Sequence, residues 1–268
     1  MTWLEIVVLA IVQGMTEFLP VSSSGHLILA PALLGWSDQG LAFDVAVHVG
    51  PLAAVVVYFR QDLSAMTSAF FRRSTAGRGD TQSSDARLAW CVIVGTVPVG
   101  LAGIAFHDFI EASLRSPAII ATTTAVFGVL LWLAAKLGKG NRTIQQLSLA
   151  AALIIGVAQA LALVPGTSRS GITMTAAFAL GFSAPAAARF SFLLSIPVIT
   201  TAGGYEALKL ATGGNSVDWL ALVMGSLISG SVAYLTIKFF MRFVAKIGMA
   251  PFMLYRLALA ALIVIALV

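Results

Sequence analysis

Glu17, His26 and Arg169 stand in sequence that is otherwise apolar, and each is flanked by hydroxyl and glycine residues. The first stretch reads Gln13-Gly-Met-Thr-Glu17-Phe-Leu-Pro-Val-Ser-Ser-Ser-Gly-His26, and the second reads Pro165-Gly-Thr-Ser-Arg-Ser-Gly171. Placing a carboxylate, an imidazole and a guanidinium where lipid would otherwise be is costly, so such groups serve substrate or ion handling and pair with one another. Gln13 and Glu17 are four residues apart and share one helix face. The turn after Pro20 then presents Ser22, Ser23 and Ser24, with His26 close behind.

The second stretch has the character of an anion cradle. A turn that opens a helix offers unpaired backbone N–H groups and the positive end of the helix dipole, and Gly166 and Gly171 permit close backbone approach. Arg169 adds a planar fork suited to phosphate oxygens, with Thr167, Ser168, Ser170 and Thr173 supplying hydroxyls beside it. The plainer reading of this segment is a helix cap with an arginine reaching for the membrane surface. Taken together, the two stretches fit phosphoryl transfer, in which positioning and charge neutralisation carry most of the catalysis. A hydroxyl or imidazole would attack phosphorus, and Glu17 would act as base or hold a divalent metal.

The elements that must position these residues are membrane helices. Of 268 residues, 59% are hydrophobic and only 10% charged, and the mean hydropathy is +0.96, outside the range of a water-soluble domain. Six stretches are long enough to cross a bilayer, at about 42–60, 88–106, 117–135, 187–207, 219–237 and 250–268, given a hydrocarbon core of about 30 Å. The net charge of +5 does not indicate nucleic acid, because the basic residues sit at span ends. Arg60, Arg72, Arg73, Arg78 and Arg87, then Lys136, Lys139 and Arg142, then Lys238, Arg242 and Lys246 mark three cytoplasmic segments by the positive-inside rule. The polar run Ser68 to Arg87 reads as a flexible cytoplasmic linker. Arg189 and Arg256 near span ends read as snorkelling side chains, Asp44 and His48 as helix-end packing or cavity-lining groups, and the single Cys91 as packing.

Residues 3–35 and 144–182 are each too long for one span and are interrupted, at Pro20 and at Pro165-Gly166. Each is expected to form a re-entrant hairpin of two helices, covered by protein or a water-filled cavity. Gln13 to Gly25 can be laid on Gln159 to Gly171 without a gap, pairing Ser22 with Ser168 and Ser24 with Ser170. One hairpin and three crossings per half place the halves in opposite orientation. The expectation is therefore an all-α integral membrane protein of about six spans and two re-entrant hairpins, arranged as an inverted-topology repeat of residues 1–140 and 141–268. The first half carries the cytoplasmic loop at about 61–87. The small-residue run Gly225-Ser-Leu-Ile-Ser-Gly230 suits close helix contact, either within the subunit or in a homodimer.

At its motifs the chain resembles the bacterial undecaprenyl-diphosphatase family, associated with bacitracin resistance. Gln13-Gly-Met-Thr-Glu17 resembles that family's Glu/Gln-x-x-x-Glu segment, Phe18 to His26 its continuation, and Pro165-Gly-Thr-Ser-Arg-Ser-Gly-Ile-Thr173 its Pro-Gly-x-Ser-Arg-Ser-x-x-Thr segment. The resemblance implies a plasma-membrane phosphatase that converts undecaprenyl diphosphate to undecaprenyl phosphate and phosphate, recycling the carrier lipid of wall synthesis at a site open to the outer face. It implies a divalent-metal requirement, Mg2+ or Ca2+, and carries family roles to Glu17, Ser23, His26, Ser168, Arg169 and Thr173. Gln13 occupies the first acidic position, so Glu17 is left as the single carboxylate for a metal or base role. On this reading Ser23 is the preferred nucleophile, activated by His26 or Glu17, with direct attack by His26 as its rival. A competing class is a flippase for undecaprenyl phosphate, which shares the architecture and needs Arg169 but not a nucleophile and base. A lipid-binding scaffold is a third, disfavoured by the number of costly ionisable groups.

Overall fold

The computed structural model describes residues 1–37, 39–75, 84–212 and 218–268. Among them the chain forms helices α1 (Trp3–Thr16), α2 (Ser23–Leu34), α3 (Gly40–Tyr58), α4 (Arg60–Thr75), α5 (Ser84–Ser113), α6 (Pro117–Leu137), α7 (Leu149–Ala160), α8 (Arg169–Ala179), α9 (Ala184–Thr212), α10 (Trp219–Ile247) and α11 (Ala250–Leu267). Helices close their backbone hydrogen bonds internally, which is what lipid requires. Their starts follow local chemistry: Thr2 and Glu5 form a capping box on α1, Ser116 caps α6 ahead of Pro117, and the Asp218 side chain caps α10.

Among the described residues, five helices are long and apolar enough to cross a membrane: Ser84–Phe106, Pro117–Leu137, Ala184–Lys209, Trp219–Ile247 and Ala250–Leu267. A sixth span arises if α3 and α4 are counted together, although a 72° bend separates Ala42–Tyr58 from Arg60–Phe71. The chain is thus an all-helical integral membrane protein.

Part of the expected flexible linker is helical. Residues 68–75 belong to α4 and 84–87 to α5, while 76–83 lie outside the described residues. What orders α4 is tertiary: Met66 is buried, Leu63 and Phe70 pack on the main core, and Asp62 pairs with Arg189 of α9. That ion pair also corrects the reading of Arg189 as a snorkelling group. The expected span 88–106 belongs to a longer helix, α5, which runs to Ser113; the side chains of His107, Asp108 and Glu111 are outside the described set.

Two pairs of short helices are broken at matching points. The chain leaves α1 at Thr16 and resumes as α2 at Ser23; it leaves α7 at Ala160, makes a 3-10 turn at Leu161–Leu163, and resumes as α8 at Arg169. At the junctions Ser22 has φ 74° and Ser168 φ 71°, the only non-glycine residues with positive φ among those described. Each costs on the order of 1–3 kcal/mol and persists only where the surroundings over-determine it.

The packing around these pairs is crossed: α1 lies on α10 and α7 lies on α5, while α2 touches α11 and α8 touches α6. Both α3 against α9 and α6 against α11 complete the bundle. Close approach of α3 and α10 uses small residues. A Cβ added to Gly230 would come within 2.9 Å of the Gly50 carbonyl oxygen, so the small-residue run of α10 is occupied inside the subunit. The largest apolar cluster includes Phe18, Phe59, Phe192 and Phe240, with Phe18 and Phe192 edge to face at 5.1 Å. Cys91 is buried in this cluster, as a packing residue would be.

Candidate active site

The two breaks meet. Glu17, one residue past α1, accepts from the Arg169 guanidinium at 3.3 Å across 152 residues of sequence. Gln13 Nε2 donates to Glu17 Oε2 at 2.9 Å, as their spacing of four predicts, and the Ser23 hydroxyl donates to the same oxygen at 3.1 Å. Glu17 is 9% exposed, so its charge is offset by neighbouring groups more than by water. Arg169 is held in turn: it donates to the Ser191 carbonyl at 3.2 Å and lies 5.9 Å from the Phe18 ring centroid.

Serines tie the breaks together. Ser22 and Ser24 hydroxyls are 3.3 Å apart, and Ser168 and Ser170 hydroxyls are likewise 3.3 Å apart. Ser24 Oγ accepts from Gly166 N–H at 3.3 Å, and the Ser170 hydroxyl donates to the Leu19 carbonyl at 2.9 Å. Each break thus reaches across to the other's backbone. The Ser168 side chain caps Gly171 N–H; the first-turn N–H groups of Arg169 and Ser170 have no intrahelical acceptor and carry the positive end of α8. Thr173 is buried; its hydroxyl lies within hydrogen-bond distance of the Arg169 and Ser170 carbonyls and 2.8 Å from Ser191 Oγ, so it braces α8 against α9. Thr167 is fully buried, and its hydroxyl has no partner among the described residues.

His26 faces elsewhere. A carbonyl only accepts, so the 2.7 Å contact with Ser22 O places a proton on Nδ1. In the neutral ring, Nε2 then accepts from the Tyr255 hydroxyl at 2.6 Å, and the two rings stack with centroids 5.5 Å apart. Tyr255 therefore holds the nitrogen through which His26 would act.

Two further residues enter: Arg256, which sequence reasoning placed outside the site, and His48, which it left between helix-end packing and cavity lining. Arg256 of α11 is fully buried rather than snorkelling. Its guanidinium donates to the carbonyls of Thr124 (2.9 Å), Thr123 (3.5 Å), Pro20 (3.4 Å), Gly166 (2.9 Å) and Thr167 (3.0 Å), spanning α6 and both breaks. Five donors in a rigid fork suit this task, and Lys has no equivalent. His48 of α3 brings Nε2 to 3.7 Å from Glu17 Oε2. The signal for both was only an ionisable side chain inside an apolar span.

Among the described residues no three His, Cys, Asp or Glu side chains converge as a ready metal cluster. A hard cation shared with substrate oxygens nevertheless fits the donors present: one buried carboxylate, and the Gln13 Oε1, buried without a hydrogen-bond partner. An unsatisfied buried acceptor beside a carboxylate is a position that a cation would relieve.

The chain matches the family described as bacitracin resistance protein BacA over residues 6–262. It is 53% identical over 266 residues to the undecaprenyl-diphosphatase of Teredinibacter turnerae, covering 99% of this chain and 100% of that one. It is 55% identical to the undecaprenyl-diphosphatase of Saccharophagus degradans, over 96% of each chain, and 55% identical to that of Hahella chejuensis, over 97% of each.

Proposed function

The chain belongs to the bacitracin resistance protein BacA family, and we infer from this membership and from its site that it is an undecaprenyl-diphosphatase, a membrane hydrolase acting on the lipid diphosphate. The carrier alternative raised from sequence has no support from these relatives, whose names state a phosphatase. The observation that carries the chemistry is the Glu17–Arg169 contact, which joins the acid and hydroxyl stretch to the anion cradle.

In the proposed reaction, Arg169 and the first-turn N–H groups of α8 bind the diphosphate and neutralise its terminal phosphoryl group. Ser23 Oγ attacks the terminal phosphorus as its proton passes to Glu17 Oε2, 3.1 Å away. The bridging P–O bond breaks, its electron pair leaving with undecaprenyl phosphate. Water then attacks the phosphoserine, with Glu17 relaying the proton, and releases inorganic phosphate. Ser23 is favoured over His26 as nucleophile because its hydroxyl already lies on the carboxylate, whereas His26 Nε2 would first have to leave Tyr255. A divalent cation bound by Glu17 and Gln13, Mg2+ or Ca2+, would offset the charge of the diphosphate.

The same proposal extends to topology. The matched breaks, the paired positive-φ serines and the crossed helix packing support two re-entrant hairpins in an inverted repeat. With the basic segments cytoplasmic, the α1–α2 pair enters the bacterial plasma membrane from the outer side, where the site opens.

Purified protein is expected to release phosphate from undecaprenyl diphosphate in the presence of divalent metal. Folded Glu17→Ala and Arg169→Ala variants should each lose at least ~1,000-fold in kcat/KM, since each removes a charge and strands its buried partner. Release at the wild-type rate by either variant would remove that residue from the site.

A further inference from the structure

The contact between His48 and Glu17 has an unusual chemical character. His48 Nδ1 lies 2.6 Å from the Asp44 carbonyl one turn earlier on α3, so Nδ1 carries a proton, and in the neutral ring Nε2 presents a lone pair. That lone pair faces a carboxylate oxygen at 3.7 Å, too far for a hydrogen bond. Gln13 Oε1, buried and without a donor, belongs to the amide that touches the same carboxylate. In the neutral ring a nitrogen lone pair and a carboxylate oxygen thus face one another with no proton between them, an arrangement that a cation bound to both would relieve.

We propose that His48 is a nitrogen ligand of a divalent cation held with Glu17 and Gln13. Two atoms bound to one ion at about 2.0–2.4 Å lie roughly 3–4 Å apart, and the 3.7 Å between Nε2 and Oε2 falls in that range. The Nδ1–H bond to a main-chain carbonyl is the outer contact by which metal-binding histidines are ordinarily oriented. The His48 side chain is 34% exposed and that of Glu17 is 8% exposed, so the ion has a protein wall on one side and an open side for diphosphate oxygens. Turning the Gln13 amide over exchanges Nε2 for Oε1 beside Glu17, which changes a donor into a third ligand without moving the backbone. An imidazole ligand shifts preference away from Ca2+ toward first-row ions, of which Mn2+ also suits the oxygen ligands and serves as a paramagnetic probe.

The inference rests on the phosphatase reading for its purpose but is tested without substrate. Sub-stoichiometric Mn2+ is added to the purified, tag-free full chain in detergent, and pulsed EPR reads nitrogen coupling from bound imidazole. The chain has three histidines, so assignment needs few variants. One imidazole coupling is expected in wild type, retained in His26→Gln and His107→Gln and absent in His48→Gln, with Mn2+ bound ~10-fold or more weakly in the last. The ratio of Mn2+- to Ca2+-supported phosphate release should fall in His48→Gln as well. Wild-type protein that binds no Mn2+, binds it without nitrogen coupling, or keeps the coupling in His48→Gln overturns the proposal; if that variant does not fold, coupling retained in both His26→Gln and His107→Gln assigns it to His48, and coupling lost in either overturns the proposal. Phosphate release measured on the same wild-type sample keeps the two readings separate: release without nitrogen coupling rejects only the ligand, and coupling without release rejects only the phosphatase.

Discussion

Around Glu17 an amide, a hydroxyl, a guanidinium and an imidazole converge on one carboxylate, so substitutions there act on several contacts at once. Arg169 shows what geometry adds to charge. Arg169→Lys keeps the cation but cannot reach both Glu17 and the Ser191 carbonyl as a planar fork does. We expect kcat/KM for phosphate release to fall about 100-fold in this variant, comparable to loss of one charge-stabilising donor. Ser23 is tested differently, by rapid quench of a single turnover with labelled undecaprenyl diphosphate followed by phosphopeptide mapping. Label on Ser23 is the expected result, and label on His26 would transfer the nucleophile's role.

At the scale of elements, the site depends on two broken helix pairs being held at a fixed separation. Arg256 does this from α11: its donors reach Pro20 in one break and Gly166 and Thr167 in the other. Arg256→Met removes these donors from a fully buried position and leaves carbonyls unpaired, a loss of about 3 kcal/mol or more. The expected outcome is a lowered Tm in detergent together with reduced kcat, because the two halves of the cradle are no longer in register. Arg256→Lys should recover part of the Tm but little of the kcat, since one ammonium cannot serve both breaks. Equal recovery of both would mean that the charge, and not the fork, is what matters.

For the whole molecule, the proposed topology assigns every helix end to a side of the membrane. The variants Lys139→Cys and Lys246→Cys should react at the added cysteine with a membrane-impermeant thiol reagent only from the cytoplasmic side, and Ser116→Cys and Trp219→Cys only from the outer side. Native Cys91 is buried and gives little background. Labelling of Lys139→Cys and Ser116→Cys from one side would break the inverted arrangement. The bundle is closed by helices from both halves, α1 on α10 and α7 on α5, so neither half has a complete site or core by itself.

Much of this was legible in the chain because it depends on local composition. Long uncharged runs specify membrane helices whatever they pack against. Proline and glycine inside such runs mark breaks, and the Glu17 and Arg169 motifs are recognisable from residue type and spacing. Which side chains turn inward was decided by tertiary structure. An arginine near a span end has the same local sequence whether it snorkels or is buried; Arg256 is buried because the carbonyls left unpaired at two breaks, more than 80 residues away in sequence, converge on α11. The same holds for Arg189, which meets Asp62 only once α4 packs on α5, and for His48, which reaches Glu17 only through the packing of α3 beside α1. Periodicity determines that a helix forms and which face is apolar, but the partner of a buried polar group is set by close packing of helices distant in sequence.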